Sequence, residues 1–574
     1  MRLRTGDGSG HDCFAELLHA CQQQERRERI LSNKETFLRG TLILAAAALV
    51  ARVLGLVQRV PLEHLLGSVG NASFTIANNA YLMLLTVATA GIPSTLSKMV
   101  SERYALNRPS EARRVYHAAL LFAAAAGIII TVVLYFGAPY FAEHVAGVPQ
   151  SALAIQALAP ALLLFPAIAM MRGYFQGRGN MTAGGISQIV EQVARVATAI
   201  LLAFIILKLG YGDREVAAGA SFGGVMGSFG ALAVMLYYMV KMRRQDRQDR
   251  QEQFQEESSA LPMMRIYKDI FTLSIPIVLS SLTVPAVNFI DTSIVVRLLS
   301  VQIGLDQATT QLGYLGARAQ SVAGIPPILA IALSQSLIPI ISAAFARKDE
   351  QHLQNQMTLA LRISILTGMP IVLALCVTAY SINGLLFSSL GGSGIIAVLT
   401  LGTIFQITMM TSNSILIGMG KPRISMVNVL VGIVVKLAAS WLLAGWLGIY
   451  GIIAATGLCF LVITLLNLRV LKGIVSFSIM GRRWAGFLTA VVLSGVIGYG
   501  VNEACILLVH IMPARVAFFI ACCIAGAAVL VCYLVLLVVL RVLRRDELGN
   551  YPRVLQKVLR PLMRLQREST GQRG

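Results

Sequence analysis

The chain has 574 residues, 56% of them apolar and 13% charged, with a mean hydropathy of +0.71. That balance excludes an ordinary soluble fold, because apolar runs of this number and length are membrane spans. The net charge of +21 does not point to a nucleic-acid partner: the cations cluster in short gaps between apolar runs, the pattern of membrane loops.

Residues 1–36 form a polar, basic tail with no apolar core of a signal peptide, and read as a dispensable extension or a misplaced start, with a short interfacial helix at Phe14-Ala-Glu-Leu-Leu-His as the alternative. Fourteen apolar spans follow, near 37–58, 73–97, 115–137, 152–171, 184–207, 216–240, 268–298, 313–343, 358–381, 394–418, 424–446, 449–471, 484–508 and 514–540. The seventh and eighth are long and carry Pro276, Pro285, Pro326, Pro327 and Pro339, where kinks or breaks are expected. The longest polar gap separates spans six and seven, so 241–267 reads as a linker between an N-lobe (37–240) and a C-lobe (268–471). Spans thirteen and fourteen (472–540) lie outside the pair. The basic tail 541–574 suits an amphipathic helix on an anionic leaflet. The fold class expected is therefore an all-α polytopic membrane protein of about fourteen helices, two pseudo-symmetric six-helix lobes plus two C-terminal helices.

Of the 48 Lys and Arg residues, 38 fall in the N-terminal tail, the even-numbered loops and the C-terminal tail. The positive-inside rule then places both termini in the cytoplasm of a cell that carries the chain in its plasma membrane.

One stretch organises the rest. Arg172-Gly173-Tyr-Phe-Gln176-Gly177-Arg178 reads as a basic, Gly-rich turn, and beyond it Glu191 and Arg195 lie four residues apart inside a span, on one helical face. A similar pattern returns about 240 residues later in Gly418-Met-Gly420-Lys421, an alignment that sets Arg195 on Lys436. A second echo relates Gly91-Ile-Pro93 to Leu337-Ile-Pro339. Two echoes in the same order argue for a duplicated lobe, a frequent transporter design.

There is no catalytic constellation, no phosphate-binding loop with its Lys-Ser/Thr, and no Cys-x-x-Cys or His cluster, so the chain reads as neither enzyme nor metalloprotein. What stands out is cations in or beside spans: Arg52, Arg59, Arg195, Arg318, Arg362 and Lys436. Intramembrane charges are costly and mark pathways, and Arg matches phosphate geometry well. Arg52, Arg59, Arg195, Arg318 and Lys436 are thus candidate ligands of an anionic headgroup, though each has a purely local reading as an interfacial or paired residue. The acids noted inside spans are Glu191 and Asp291. Asp291, with Asn288 and Thr292 nearby, reads equally as a site for a coupling Na⁺ or proton and as a counter-ion. Gly219, Gly223, Gly227 and Gly230 read as a helix-packing stripe.

These residues resemble the flippase branch of the multidrug/oligosaccharidyl-lipid/polysaccharide (MOP) exporter superfamily, in its stage V sporulation protein B and MurJ-type group. The lines that carry the resemblance are Arg39-Gly-Thr-Leu-Ile-Leu, Arg52-Val-Leu-Gly, Thr89-Ala-Gly-Ile-Pro-Ser-Thr-Leu-Ser-Lys98, Met171-Arg-Gly-Tyr-Phe-Gln-Gly177 and Ile186-Ser-Gln-Ile-Val-Glu-Gln-Val-Ala-Arg195. The resemblance implies two lobes around a lipid-accessible cavity, and flipping of undecaprenyl-pyrophosphate-linked sugars such as lipid II to the outer leaflet. In that group, arginines of the first and eighth helices line the cavity. Arg52 matches the first; Arg318 lies a couple of residues from the second; Gln58 stands at another first-helix position, with Arg59 next to it. The second-helix arginine of Gram-negative members has no counterpart in 81–90. The partners implied are the bilayer, the lipid-linked glycan and wall-synthesis machinery. No cofactor is expected beyond a coupling Na⁺ or H⁺. A cation-coupled drug exporter of the same superfamily and a non-transporting scaffold of wall synthesis remain alternative readings.

Overall fold

The computed structural model describes residues 46–543 except 48, 49, 52, 56, 90, 107, 250–262 and 388. Arg52, the tail 1–36, residues 250–262 of the linker and nearly all of the tail 541–574 lie outside the described residues. Helix α1 takes in the described residues of 46–65. It is followed by α2 (Ser68–Thr89), α3 (Ile92–Ala105), α4 (Pro109–Tyr140), α5 (Ser151–Leu158), α6 (Ala161–Gly177), α7 (Met181–Lys208) and α8 (Asp213–Asp249). The second half holds α9 (Met263–Ser281), α10 (Thr283–Ile303), α11 (Leu305–Gly313), a π-helical turn (Tyr314–Ala319), α12 (Gln320–Ala323), α13 (Pro327–Ala346), α14 (Glu350–Val377), α15 (Ala379–Leu386), α16 (Ser393–Gly418), α17 (Pro422–Leu447) and α18 (Ile449–Ile474). Helices α19 (Trp484–Ile506) and α20 (Ala514–Val539) complete the chain.

Twelve helical segments among the described residues are long and apolar enough to cross a membrane. The expected first and eighth spans correspond to α1 and to the chain from α11 to α13. The chain is thus an all-helical, multi-pass membrane protein with about fourteen spans. Its interior is lined by small and aliphatic side chains, while large apolar ones such as Phe136, Trp441 and Trp446 project outward, as lipid requires.

Prolines set the breaks. Pro276 and Pro370 sit within continuous helices. The break between α9 and α10 falls at Leu282, where Pro285 lacks the N–H that would bond to residue 281. Pro326 and Pro327 separate α12 from α13 in the same way.

Three boundaries depart from expectation. Helix α1 continues past residue 58 to residue 65, because its charged end is paired by tertiary partners. Helix α8 runs to Asp249, beyond the expected limit at 240. The stretch expected as a turn from Arg172 is helical as far as Gly177, and the turn is confined to 178–180. Of the glycines in the two motifs, Gly179, at φ +79°, and its counterpart Gly420, at φ +70°, take the left-handed conformation.

Gly173 and Gly177 serve instead as contacts. A Cβ on Gly173 would stand 2.6 Å from the Pro93 carbonyl oxygen, and one on Gly177 would stand 2.6 Å from that of Ser97 and 2.9 Å from Val100 Cβ. Gly418 meets the Ile338 carbonyl oxygen and Ile341 Cβ, both at 3.0 Å. The pairs 177/418, 97/338 and 100/341 share one offset of 241 residues, so the first sequence echo is a duplicated helix contact, while the second, which set Pro93 on Pro339, is out of this register by five residues. Gly177→Val should therefore cut the folded, membrane-inserted fraction severely, by about 2–4 kcal/mol of overpacking and lost contact. Gly179→Ala, which meets no atom within 4 Å and strains only the turn, should be milder in the same assay of detergent-resistant monodisperse protein.

The two halves meet along α2 and α3, which pack on α10 and α9 respectively. Thr95 accepts a hydrogen bond from Ser274 at 3.1 Å, and Asn79 donates to Gln320 at 3.2 Å across the same boundary. Within the first half α7 packs closely on α8, where a Cβ on Gly223 would stand 2.7 Å from the Arg195 carbonyl oxygen and one on Gly227 2.8 Å from that of Glu191. The glycine stripe is thus a packing device, and it holds the charged face of α7 in place.

Candidate functional site

The first charged centre is built on α6 and α7. Glu191 is 3% exposed and accepts from two guanidiniums at once: Arg195 at 3.0 Å through Oε1 and Arg172 at 2.9 Å through Oε2. Arg195 reaches it because four residues of helix bring both side chains to one face. Arg172 reaches it because α6 remains helical through Gly173, projecting the side chain towards α7. Arg172 also donates to Ser187 Oγ at 2.8 Å, and Ser187 donates to the Ala231 carbonyl of α8 at 3.3 Å. Aromatic faces cover the arginines: Arg172 lies over Phe165 and Arg195 over Tyr81, both at 5.8 Å from the ring centre. Two cations and one anion leave the centre with a net positive charge. The arginine side chains keep 18% and 16% of their surface exposed, and Arg195 Nε is a buried donor without an acceptor among the described residues. Such a centre can take an anion.

The second centre lies in the other half, at the position related to Arg195 by the repeat. Lys436 is fully buried, with Nζ 2.5 Å from Asp291 Oδ1 and 2.7 Å from Thr456 Oγ1. Thr456 in turn donates to Asp291 Oδ2 at 3.1 Å. Both carboxylate oxygens of Asp291 are thus engaged, and Lys436 stands where a free cation bound to that carboxylate would sit. Asn288 is half-buried one turn earlier, with its carbonyl accepting from Thr292 at 3.1 Å. This centre is neutral.

The third centre joins the two halves at the end of the bundle that carries α11. Arg318, in the π-helical turn, is 4% exposed and donates through Nε and Nη2 to Glu63 of α1. It also donates to the carbonyls of Ser389 and Gly391 at 2.7 and 2.8 Å, and lies against the rings of Tyr314 and Phe387. Beside it Gly316 packs directly on Thr75 of α2. Arg59, half-buried, lies over the Phe74 ring at 4.8 Å. Arg362 donates to the Ile479 carbonyl at 2.9 Å, tying α14 to the segment before α19.

At the opposite end Arg178 grips Asp246 through both oxygens, at 2.7 and 2.8 Å. Burial opposes its charge, but the hydrogen bonds to Asp246 prevail and hold the guanidinium above its usual pKa.

The structure therefore separates the candidate cations rather than converging them. Arg195 and Arg172 share Glu191, Lys436 is locked to Asp291, Arg318 to Glu63, and Arg59 lies over the Phe74 ring. Gln176 is half-buried at the last turn of α6, where its carbonyl accepts from Gly179 at 3.0 Å. Sequence reasoning missed Glu63, because the first span was ended at its charged residues. It treated Arg172 as a turn residue, because glycines suggested a turn. It also passed over Thr456, one of many apolar-span threonines. A signal for Arg172 was present: as a helical residue it stands among apolar neighbours, like Arg195.

Comparisons with known proteins agree with this architecture. The sequence profile of the family described as "Polysaccharide biosynthesis protein" matches residues 37–345. Stage V sporulation protein B of Bacillus subtilis (strain 168) is 27% identical over 92% of this chain and 100% of its own length. Lipid II flippase MurJ of the same organism is 27% identical over 86% of this chain and 94% of its own. Among solved structures, the inward-facing conformation of a multidrug resistance MATE family transporter of the MOP superfamily superposes with a TM-score of 0.60 at 14% identity, over 74% of this chain and 94% of that one. A MOP superfamily transporter from Pyrococcus furiosus, whose binding pocket is described as reversed in polarity, gives 0.55 at 15% identity, over 77% and 96%. With more than half its length matched by the family profile, and its helices following the fold of the MOP superfamily transporters it superposes on, the chain belongs to the polysaccharide biosynthesis protein family.

Proposed function

We propose that the chain is a flippase that carries an undecaprenyl-pyrophosphate-linked glycan, lipid II or a related wall precursor, across the plasma membrane by alternating access. The observation that carries this reading is the centre around Glu191, where two arginines share one carboxylate and leave a positive charge. Paired guanidiniums suit the oxygens of a pyrophosphate. Similarity to a lipid II flippase over most of both chains supports the substrate class.

Arg172 and Arg195 hold the headgroup, with Arg52 as a further ligand on the strength of the family pattern. The prenyl tail stays in lipid, because a bare pyrophosphate in hydrocarbon is prohibitively costly. With both termini cytoplasmic, the end that carries α11 faces outward, and the Glu63–Arg318 clasp closes that side while the headgroup enters from within. Arg318 becomes available to the headgroup when the clasp opens. Lys436 plays a fixed structural part beside Asp291, so the drive comes chiefly from membrane potential, about 2.3 kcal/mol per charge moved at 100 mV. A drug exporter for organic cations would need an acid free to bind them, and Glu63, Glu191 and Asp291 are each paired with a cation.

Expression in cells depleted of their essential lipid II flippase tests the reading. The intact chain should restore growth. Arg172→Ala and Arg195→Ala together should abolish rescue at equal membrane abundance, with transport reduced at least about tenfold for one lost charge-assisted contact. Rescue by the double variant would overturn the headgroup assignment.

A further inference from the structure

Glu191 takes one nitrogen of each arginine on the face that the two guanidiniums share, so a headgroup that grips both arginines on that face must displace the carboxylate. We infer that Glu191 is an internal stand-in for the headgroup, displaced when the pyrophosphate binds, and that it takes up one proton as it leaves the arginines. The inference rests on the headgroup assignment to Arg172 and Arg195.

The geometry leaves the displaced carboxylate little choice. Its two oxygens are bound to Arg195 and Arg172 at 3.0 and 2.9 Å, and these are the donors that a phosphate group would claim. The other groups facing it supply no further charge. Helix α2 brings the uncharged Tyr81, whose ring lies against Arg195. Helix α8 brings Gly227, closing on the Glu191 backbone, and Ala231, whose carbonyl holds Ser187. On its own helix Ser187 already donates to that carbonyl and receives Arg172. Glu191 itself is 3% exposed, so water cannot replace the lost partners. A carboxylate stripped of counter-ions in such surroundings, beside an incoming anion, is neutralised by protonation. The balance is simple: one proton passes from water to the Glu191 carboxylate, both arginines stay charged, and the protonated acid gains an O–H that can donate to a headgroup oxygen. On release the proton departs and the carboxylate returns to the arginines. The loaded carrier then moves one negative charge fewer than the bare headgroup.

The test is calorimetric binding of undecaprenyl pyrophosphate to the purified full chain, in two buffers of different ionisation enthalpy, at a pH high enough that the lipid is fully ionised. The wild-type chain should take up about one proton per lipid bound, and its affinity should fall about tenfold for each unit of rising pH. Glu191→Gln, which keeps the shape without the charge, should bind at least about tenfold more tightly at the upper end of the range and take up about one proton fewer. Equal proton uptake by both proteins would overturn the inference while leaving the headgroup site intact. Failure of the wild-type chain to bind the lipid would overturn the headgroup reading itself. Should Glu191→Gln not fold, wild-type uptake decides: near zero overturns the exchange, and near one supports it.

Discussion

Asp291→Ala should destabilise the protein by about 3–5 kcal/mol, because it strands the Lys436 ammonium in the dry interior of the second half. Lys436 would keep a single neutral partner, Thr456, and the carboxylate that accepts from both would be gone. Lys436→Met should cost a similar amount by stranding Asp291. The double variant Asp291→Leu with Lys436→Met should recover most of the loss, since replacing a whole buried pair by apolar residues of similar size is often neutral. Thermal unfolding of detergent-solubilised protein, with membrane abundance as a second reading, measures all three. If each single variant melts like the parent, the pair is not the internal brace its geometry implies. Transport by a well-folded double variant would further show that no ion need bind at Asp291.

Glu63→Gln should loosen the closure at the α11 end. The carboxylate anchors Arg318 across the two halves, while the carbonyls of Ser389 and Gly391 hold the guanidinium within its own half. The variant therefore removes the charge from this link between halves without leaving Arg318 unsolvated. Loss of a charge-assisted hydrogen bond is worth about 1.5–3 kcal/mol, which raises the open population roughly ten- to a hundredfold. Thr75, fully buried against Gly316, reports it. A Cys at position 75 should be protected from a membrane-impermeant maleimide in the parent and labelled at least about tenfold faster with Glu63→Gln, against a chain without that Cys. Unchanged labelling would mean that apolar packing, not the ion pair, holds this end shut.

Much of the molecule was legible in one dimension because the bilayer imposes a one-dimensional rule. A span must be apolar for about twenty residues and must satisfy its own backbone, so composition along the chain marks helices directly. The duplication was legible for a related reason: the glycines 177 and 418 both admit a neighbouring helix closely, a Cβ meeting its backbone at 2.6 Å and 3.0 Å respectively, and that demand is written at one position in each half. Boundaries were less legible wherever charge met helix. Glu63 looked like a loop residue and Arg172 like part of a turn, since an isolated charge ends a span unless something neutralises it. The neutralising partners stand 255 and 19 residues away in sequence, beyond the reach of periodicity.

The sequence by itself determined that this chain crosses a membrane many times, that its two halves repeat, and that cations lie inside its spans. Only the tertiary structure decided how those cations are paired. Arg172 and Arg195 share one carboxylate and retain a positive charge, Lys436 is neutralised by Asp291, and Arg318 is committed to holding the halves together. The reason is that the effect of a buried charge depends on the few ångströms around it. Those neighbours come from helices that are distant in the chain and adjacent only once it has folded.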